Sequence, residues 1–460
     1  MNDTRAEPAS HAMPYCTLHP LPYQSDPCER FERLRQAPGA ILLDSGRPLA
    51  LRGRHDLISA WPRQVLRAEH GESAAAYFQR LRKALATLGP ARLPADFHSP
   101  FAGGLIGMLA YDFGKRLERL PATALNDLKL PDGQLGLYDW ALVSDHQEQA
   151  SALVFHPGIE HGERQRIIRL FEGNAQALCG RDDFRLRAPF RPDLRKEDYR
   201  QAIERIQDYI RAGDCYQVNF TQRFRAPCQG DPWQAYQALR KACPTPYAGF
   251  VSLERGAILS ASPERFLHLS QGQVETRPIK GTRPRGTDPR SDVAAARELL
   301  ESDKDRAENL MIVDLLRNDL GRSCGIGSVR VPELFALESY PNVHHLVSSV
   351  IGRLRDGLDA FDLLAGSFPG GSITGAPKIR AMQIIDELEA ACRSIYCGSL
   401  LYLDVRGEMD SSIAIRTLLV DGAQASCWGG GAITLDSDWQ AEYQESLDKV
   451  KVLMETLERL

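Results

Sequence analysis

Lys280 stands in the segment TRPIKGTRPRGT, residues 276–287, where its amine could act as a nucleophile or a base. Lysine is scarce in this chain, with ten among the 56 basic residues, and this one is flanked by Arg277, Arg283 and Arg285. Nearby cations lower the pKa of a lysine and so increase the fraction of neutral, reactive amine. The alternative is a solvated turn lysine, the more common role of a lone lysine in a loop. The pattern therefore predicts either a reactive amine or a surface loop.

Two pairs of carboxylates stand three residues apart in segments with helical periodicity. Asp305 and Glu308 lie in DKDRAENLMIVDLLRND, and Glu442 and Glu445 lie in AEYQESLDK. This spacing puts both carboxylates of a pair on one helix face. If the two faces converge, their oxygens suit Mg²⁺, which binds carboxylates, water and substrate oxygens. Taken singly, each pair is more often a solvated helix face, with Glu445 and Lys449 as an i,i+4 ion pair.

Glu264 and a histidine pair are further candidates for proton transfer. Glu264 lies in SASPERF, where it is either a positioned general acid or part of a surface turn with a Glu–Arg contact. His344 and His345 lie in NVHHLVSSV, whose alternation predicts a strand with one histidine on each side. An inward histidine is more often a hydrogen-bonded core residue than a catalyst.

Two glycine-rich segments could bind an anion through backbone N–H groups. GGSITGAPK spans residues 370–378 and is followed by a predicted helix, and WGGGAIT spans residues 428–434. Exposed N–H groups near a helix N-terminus suit a carboxylate. The alternative for both segments is tight turning of the chain, which is common in glycine-rich loops.

The elements that must position these residues predict an α+β fold. Strand patterns occur in runs, which favours mostly antiparallel sheets over a Rossmann arrangement. One helix is predicted over residues 292–316 and one strand over residues 412–419. A charged segment with two prolines, residues 180–200, predicts a linker with a boundary near residue 190. The domains are then residues 1–190, an N-terminal region, and residues 191–460, a catalytic domain.

Composition excludes several classes of function. Of 460 residues, 43% are hydrophobic and 25% charged, and the net charge is −4, so there is no positive reservoir for nucleic acid. The sequence contains no apolar run long enough for a membrane span and no signal-peptide pattern at its start. Its ten cysteines form no C-x-x-C pair, which predicts free thiols in a reducing cytoplasm.

From about residue 196 to residue 452, the chain resembles the chorismate-utilising enzyme family. The resemblance is carried, in family order, by SPERF, PIKGTRPRG, the K-D-x-A-E-N helix with VDLxRND, VHHLVS, GSITGAPK, IAIRT, GGGAIT and E-x-x-E. The N-terminal region matches more weakly, through ILLDSG and GGLIGMLAYD. The resemblance implies an α+β fold of the anthranilate-synthase type, a β-sandwich of mostly antiparallel sheets with flanking helices. The active site would lie in a cleft.

The resemblance also implies Mg²⁺ as the cofactor. Glu308 and Glu445 would bind the ion directly, and Asp305 and Glu442 would reach it through water. The ion would hold the ring carboxylate of chorismate and polarise departure of the C4 hydroxyl.

Catalytic and substrate-binding residues carry over in the same way. Glu264 matches the general acid for the C4 hydroxyl, His345 a residue beside the substrate, and Lys280 a covalent nucleophile. Arg416 suits bidentate pairing with the pyruvyl carboxylate. The full set of predicted substrate-binding residues is Gln217, Thr374, Tyr396, Arg416, Gly431 and Lys449.

Two positions separate the reactions within the family. Water-adding members carry a lysine base where Gln217 stands, and glutamine cannot deprotonate water, which favours ammonia. Anthranilate synthases have alanine where Lys280 stands, whereas PIKGT is typical of the branch that makes 4-amino-4-deoxychorismate for p-aminobenzoate and folate. There the lysine attacks C2, the C4 hydroxyl leaves, and ammonia enters at C4. That amination of chorismate is the predicted function.

Two alternatives stay open on the sequence. One is anthranilate synthase component I, and the other is a non-catalytic, anion-binding regulatory module. The resemblance implies a partner, a glutamine amidotransferase subunit that supplies ammonia in a stable or transient heterodimer. Consistent with a separate partner, no G-x-C-x-G string of the amidotransferase type occurs in the chain.

Overall fold

The structure is a computed structural model that describes residues 13–50, 53–95, 97–173, 182–340 and 343–460. Its strands are β1 (Thr17–Leu21), β2 (Ile41–Asp44), β3 (His55–Ser59), β4 (Gln64–Arg67), β5 (Gly104–Leu109), β6 (Gly133–Tyr138), β7 (Trp140–Asp145), β8 (Ala150–Phe155), β9 (Arg185–Leu186), β10 (Arg191–Pro192), β11 (Gln217–Gln229), β12 (Tyr247–Leu253), β13 (Gly256–Ser262), β14 (Arg265–Ser270), β15 (Gln273–Thr276), β16 (Ile279–Pro284), β17 (Arg330–Ser339), β18 (Val343–Arg353), β19 (Gly375–Ala376), β20 (Ser399–Asp404), β21 (Met409–Ser412), β22 (Thr417–Asp421) and β23 (Gln424–Ile433). Its α-helices are α1 (Cys28–Glu32), α2 (Ala74–Leu88), α3 (Gly114–Leu117), α4 (His161–Glu172), α5 (Lys196–Arg211), α6 (Pro232–Ala242), α7 (Pro289–Glu301), α8 (Asp303–Ser323), α9 (Ala360–Ser367), α10 (Lys378–Leu388) and α11 (Trp439–Glu458).

Two large sheets form the centre of the molecule. The first runs β1-β8-β7-β3-β2-β12-β13-β22-β23-β11-β10, and β9 and β19 also pair with β11. The second runs β16-β18-β15-β14-β21-β20-β5-β6-β4, and β17 also pairs with β18. Within the described ranges, every pairing between these strands is antiparallel. The predicted α+β class with mostly antiparallel sheets is confirmed.

Both sheets draw strands from both sides of residue 190. In the first sheet, β2 from the N-terminal region pairs with β12, and in the second sheet, β5 pairs with β20. The shared core includes an aromatic contact in which the rings of Phe31 and Trp233 lie 4.7 Å apart. Fully burying one such side chain contributes about 1.5–3 kcal/mol. Strands from both sides of the predicted boundary near residue 190 therefore pair within the same two sheets.

The predicted single helix over residues 292–316 is wrong, because the chain breaks between α7 and α8. Ser302 has extended backbone angles, and its side chain accepts a hydrogen bond from the backbone N–H of Asp305. This is the geometry of a helix N-cap, a role for which serine is strongly preferred. The break puts Asp305 in the first turn of α8 and Glu308 in the next.

The predicted single strand over residues 412–419 is also wrong. It is the end of β21, in the second sheet, and the start of β22, in the first. The residues between them cross from one sheet to the other, and Arg416 has a left-handed φ of 48°. A second crossing runs beside it, from β13 to β14, and contains Glu264. The two crossings bring polar residues to the space between the sheets.

The helix predicted after the glycine-rich segment GGSITGAPK is α10, which begins after Pro377. Helix α2 ends at Leu88, before Gly89. The part of the chain that the structure describes contains no helix both long and apolar enough to cross a membrane.

Candidate active site

A cavity of about 790 Å³ lies where the two crossings meet β16, α8 and α11. It collects residues that are far apart in the sequence. Ten of the thirteen predicted site residues line it, namely Glu264, Lys280, Asp305, Glu308, His345, Tyr396, Arg416, Glu442, Glu445 and Lys449.

Lys280 lies in β16 and not in a loop, which corrects the expectation for residues 276–287. The pairing of β16 with β18 is irregular between Ile279 and Thr282, so Lys280 sits at a bulge. Gly281 has a φ of +79°, and a Cβ there would lie 2.8 Å from Leu299 and 3.0 Å from Asp305. Only glycine suits this position, and the bulge re-aims the neighbouring lysine side chain into the cavity.

Burial lowers the pKa of Lys280, and the nearby Lys449 amine lowers it further. The carboxylates of Glu308, Glu264 and Glu445 oppose this shift but do not reverse it. Within the described chain, the Lys280 amine forms no ion pair or hydrogen bond. A larger fraction of this amine is therefore neutral at neutral pH than for an exposed lysine.

The predicted cause of that shift was wrong. The flanking arginines do not act on the amine, because each has a carboxylate partner. The pairs are Arg277 with Glu338 at 2.7 Å, Arg283 with Asp305 at 3.0 Å, and Arg285 with Asp292 at 2.7 Å. An arginine neutralised by its own carboxylate exerts little field on a lysine further away.

Glu264 is 5% exposed and lies in the crossing from β13 to β14. Its backbone carbonyl accepts a hydrogen bond from the N–H of Ile413 in the other crossing, which ties the two crossings together. The Ser372 hydroxyl donates to Oε1 of Glu264 at 2.7 Å. Burial raises the pKa of Glu264 to about 7, against the opposing effects of Ser372, Lys280 and Lys449. A carboxyl group with this pKa can donate a proton near neutral pH. The alternative of a surface turn is wrong.

Arg416 faces the cavity from the other crossing. Its guanidinium forms no ion pair or hydrogen bond with any residue that the structure describes. A guanidinium with free donors at a cavity wall suits a carboxylate ligand.

His345 and Tyr396 complete this wall. Burial lowers the pKa of His345 to about 4, and its Nδ1 lies 2.8 Å from the Thr282 hydroxyl, so the ring is neutral. His344 points to the opposite side, toward Asp292 and Ser339, as the alternation predicted. Tyr396 stacks on Trp428 with the two rings 6° from parallel.

The acidic pairs of α8 and α11 face the same cavity. Oδ2 of Asp305 pairs with Arg283, Oε1 of Glu442 accepts from Ser437 at 2.7 Å, and Oε1 of Glu445 pairs with Lys449 at 2.7 Å. The i,i+4 ion pair of Glu445 and Lys449 is therefore present, but at a cavity wall. Burial raises the pKa of Glu308 and Glu442. Burial also opposes ionisation of Glu445, but Lys449 holds its pKa below the usual value.

Gly431 explains how the carboxylates of α11 approach β23. A Cβ at Gly431 would lie 3.2 Å from Oε2 of Glu442 and 3.2 Å from Oε1 of Glu445. Among the described residues, no three His, Cys, Asp or Glu side chains are already gathered as a metal site. The donor set is nevertheless all carboxylate oxygen, the chemistry that Mg²⁺ prefers, and Mg²⁺ completes its shell with water and substrate oxygens.

Three predicted substrate-binding residues do not line the cavity. Gly431 lies just behind it, between two residues that do. The Thr374 hydroxyl donates to the carbonyls of Gly370 and Gly371. Gln217 is fully buried in β11, and its amide has no hydrogen-bond partner in the described chain. The substrate contacts of these residues stay predictions.

Other residues that the sequence did not single out also line the cavity, and four of them have polar or aromatic side chains that bear on the site. They are Asn219, Lys304, Ser372 and Trp428. Lys304 stands four residues before Glu308 on α8 and acts electrostatically on Glu308, Glu442 and Glu445. Its i,i+4 spacing was a usable signal. Ser372 and Trp428 lie in the two glycine-rich segments, which were predicted to bind an anion only through their backbone N–H groups.

The profile of the family described as chorismate binding enzyme matches residues 39–455. The chain is 46% identical over 453 residues to aminodeoxychorismate synthase component 1 of Klebsiella aerogenes, covering 95% of this chain and 98% of that protein. It is 40% identical over 363 residues to anthranilate synthase component 1 of Thermus thermophilus, covering 78% of each. The crystal structure of anthranilate synthase component I from Streptococcus pneumoniae superimposes with a TM-score of 0.76 at 30% identity, covering 88% of this chain and 93% of that one.

Proposed function

Because the chain belongs to the chorismate binding enzyme family, we propose that it aminates chorismate with ammonia to give 4-amino-4-deoxychorismate, a precursor of p-aminobenzoate and folate. Its 46% identical relative named aminodeoxychorismate synthase component 1 supports this reaction over nearly the full length. The observation that carries the proposal is the Lys280 amine, which lies in the cavity, without an ion-pair partner in the described chain, beside a buried carboxyl group.

The residues of the cavity divide the chemistry among them. The neutral amine of Lys280 attacks C2 of chorismate, and Glu264 gives its proton to the departing C4 hydroxyl, which leaves as water. Ammonia then attacks C4, and the bond between C2 and the lysine nitrogen breaks. Arg416 pairs with the pyruvyl carboxylate, and neutral His345 contacts the substrate without adding charge.

Mg²⁺ is the cofactor in this proposal. Glu308 and Glu445 would bind it directly, and Asp305 and Glu442 through water. When bound, the ion supplies Lewis-acid polarisation of the substrate oxygens and holds the ring carboxylate. The carboxylate donors facing the cavity and the close approach of Glu442 and Glu445 to Gly431 support this assignment.

Product identity tests the proposed reaction. The chain is incubated with chorismate, Mg²⁺ and an ammonium salt, and the product is identified by mass. We expect 4-amino-4-deoxychorismate, which keeps its enolpyruvyl group. Anthranilate with release of pyruvate would instead identify the alternative, anthranilate synthase component I, whose Thermus thermophilus representative shares 40% identity. A regulatory module would turn over no chorismate, and it would need Lys280 in bulk solvent, whereas Lys280 lines the cavity.

The nitrogen source gives a further prediction. The name component 1 of the relatives supports a partner, which we propose is a glutamine amidotransferase subunit in the cytoplasm. We expect the single chain to make product from ammonium salts but not from glutamine, because it lacks a G-x-C-x-G nucleophile segment. Initial rates with each nitrogen source check this. Equal rates from glutamine and ammonium with the purified chain would rule out a separate amidotransferase.

The raised pKa of Glu264 predicts a pH dependence. A general acid works only while protonated, and the protonated fraction falls as the pH rises through its pKa of about 7. We therefore expect kcat with ammonium to fall on the alkaline side of about pH 7, once ammonia is saturating at each pH. Glu264→Gln should lower kcat by roughly 10²–10⁴-fold and remove that limb. A Glu264→Gln profile with the wild-type limb would show that another group is the acid.

A further inference from the structure

Ser372 donates a hydrogen bond to the carboxyl group of Glu264, the general acid of the proposed reaction. It is 8% exposed and lies in the 3₁₀ turn Gly371–Ile373, which follows α9. Its hydroxyl donates to Oε1 of Glu264 at 2.7 Å. In the part of the chain that the structure describes, the hydroxyl has no other acceptor, and no residue bonds to Oε2 of Glu264. The two carboxyl oxygens are therefore not equivalent.

The glycines before Ser372 make this contact possible. A Cβ on Gly370 would lie 2.7 Å from Ile413, and one on Gly371 would lie 2.8 Å from Leu315. Without side chains, the turn packs directly against the crossing that holds Ile413 and against α8. This close approach carries Ser372 to Glu264. The glycine-rich segment therefore places the Ser372 side chain against Glu264, whereas its sequence predicted only anion binding by backbone N–H groups.

We propose that Ser372 is a positioning residue, whose hydroxyl fixes Oε1 of Glu264 as an acceptor so that the acid proton is carried on Oε2. Oε2 is then the oxygen that meets the C4 hydroxyl of chorismate. A neutral carboxyl group has one O–H and one acceptor oxygen, so a donor held at one oxygen decides which oxygen carries the proton. This inference rests on the proposed function, because it assigns an orientation to the acid of that reaction.

The charges around Glu264 determine what removal of the hydroxyl does. Burial raises the pKa of Glu264, whereas the hydrogen bond from Ser372 and the amines of Lys280 and Lys449 lower it. The buried thiol of Cys397 also lies within its electrostatic reach. Loss of the Ser372 hydroxyl leaves the lysines and the burial in place, so the pKa of Glu264 should rise. A merely structural serine would not move it.

The test compares kcat as a function of pH for the wild type and for Ser372→Ala, Ser372→Gly and Ser372→Thr. Ser372→Ala and Ser372→Gly should lose about tenfold or more in kcat, and their alkaline limb should move up by about one pH unit. Ser372→Thr keeps a hydroxyl and should keep the limb near its wild-type position. Ser426→Ala, at a buried serine of β23, is the matched control and should behave as wild type.

A second readout does not use activity. Infrared difference spectra over a pH titration report the protonated carboxyl band that Glu264→Gln removes. In Ser372→Ala this band should persist to a higher pH than in the wild type. An unmoved band and an unmoved kcat limb in Ser372→Ala would overturn the proposal. A failure of the proposed function would give a different result, because the wild type would then make no 4-amino-4-deoxychorismate at any pH.

Discussion

Lys280→Ala should lower the rate of 4-amino-4-deoxychorismate formation by roughly 10³-fold or more, because it removes the nucleophile that attacks C2. Without the amine, ammonia can attack C2 directly, so the residual products should shift toward addition at C2. Initial rates and product masses measured with chorismate, Mg²⁺ and ammonium check both effects.

Lys280→Arg separates nucleophilic from electrostatic roles. It keeps a positive charge in the cavity, but a guanidinium stays protonated and cannot attack carbon. We expect it to be as inactive as Lys280→Ala. Lys451→Ala removes a lysine that points to Glu455 on the outer part of α11 and should leave the rate unchanged. Near-normal turnover by Lys280→Arg would show that Lys280 acts only as an electrostatic contact for an anion and not as a nucleophile.

Glu308→Gln and Glu445→Gln should each nearly abolish activity at every Mg²⁺ concentration tested. Each change removes a charged oxygen ligand, and loss of the Lewis acid costs several kcal/mol of transition-state stabilisation, or roughly 10³-fold in rate. Chelation by EDTA should have the same effect on the wild type, and added Mg²⁺ should reverse it. Glu455→Gln, on the same helix but paired with Lys451 and Arg459, is the control and should stay active.

Asp305→Asn and Glu442→Gln should be milder and partly rescued by excess Mg²⁺, since these residues would act through water. Asp305 also forms an ion pair with Arg283, and Glu442 accepts a hydrogen bond from Ser437, so each also stabilises the structure around it. Equal loss at all four acidic positions would contradict this division. Wild-type activity that is unchanged by EDTA would show that the reaction does not need Mg²⁺.

Local patterns predicted most of the fold and failed where the chain changes direction. Alternation predicted β18, at NVHHLVSSV, although that strand is buried along most of its length. It could not find the crossing at Arg416, because apolar residues on both sides of that crossing are buried in different sheets. Helical periodicity did not reveal the break at Ser302, because this N-cap serine lies within a charged segment. Pairing between the N-terminal region and the catalytic region was equally invisible, since register depends on partners distant in sequence.

The candidate site was predicted more fully in its residues than in its electrostatics. Spacing placed Asp305 and Glu308 on one helix face, the segments around Glu264 and Lys280 marked these two residues as candidates, and the resemblance supplied their roles. Burial could not be read from the sequence, and it is burial that raises the pKa of Glu264 and lowers that of Lys280. Counting nearby charges assigned the lysine shift to arginines that have partners of their own. The contact of Ser372 with Glu264 depends on a close approach that only the folded chain displays.

Trapping a covalent adduct on Lys280 tests the central claim most directly. The chain is incubated with chorismate and Mg²⁺ without ammonia, quenched and digested, and the peptide containing Lys280 is weighed. The account predicts that this peptide gains the mass of chorismate less one water, that added ammonia discharges the adduct as 4-amino-4-deoxychorismate, and that Lys280→Ala shows no gain. An unmodified Lys280 peptide, in a chain that still turns chorismate over with ammonia, would contradict the covalent mechanism.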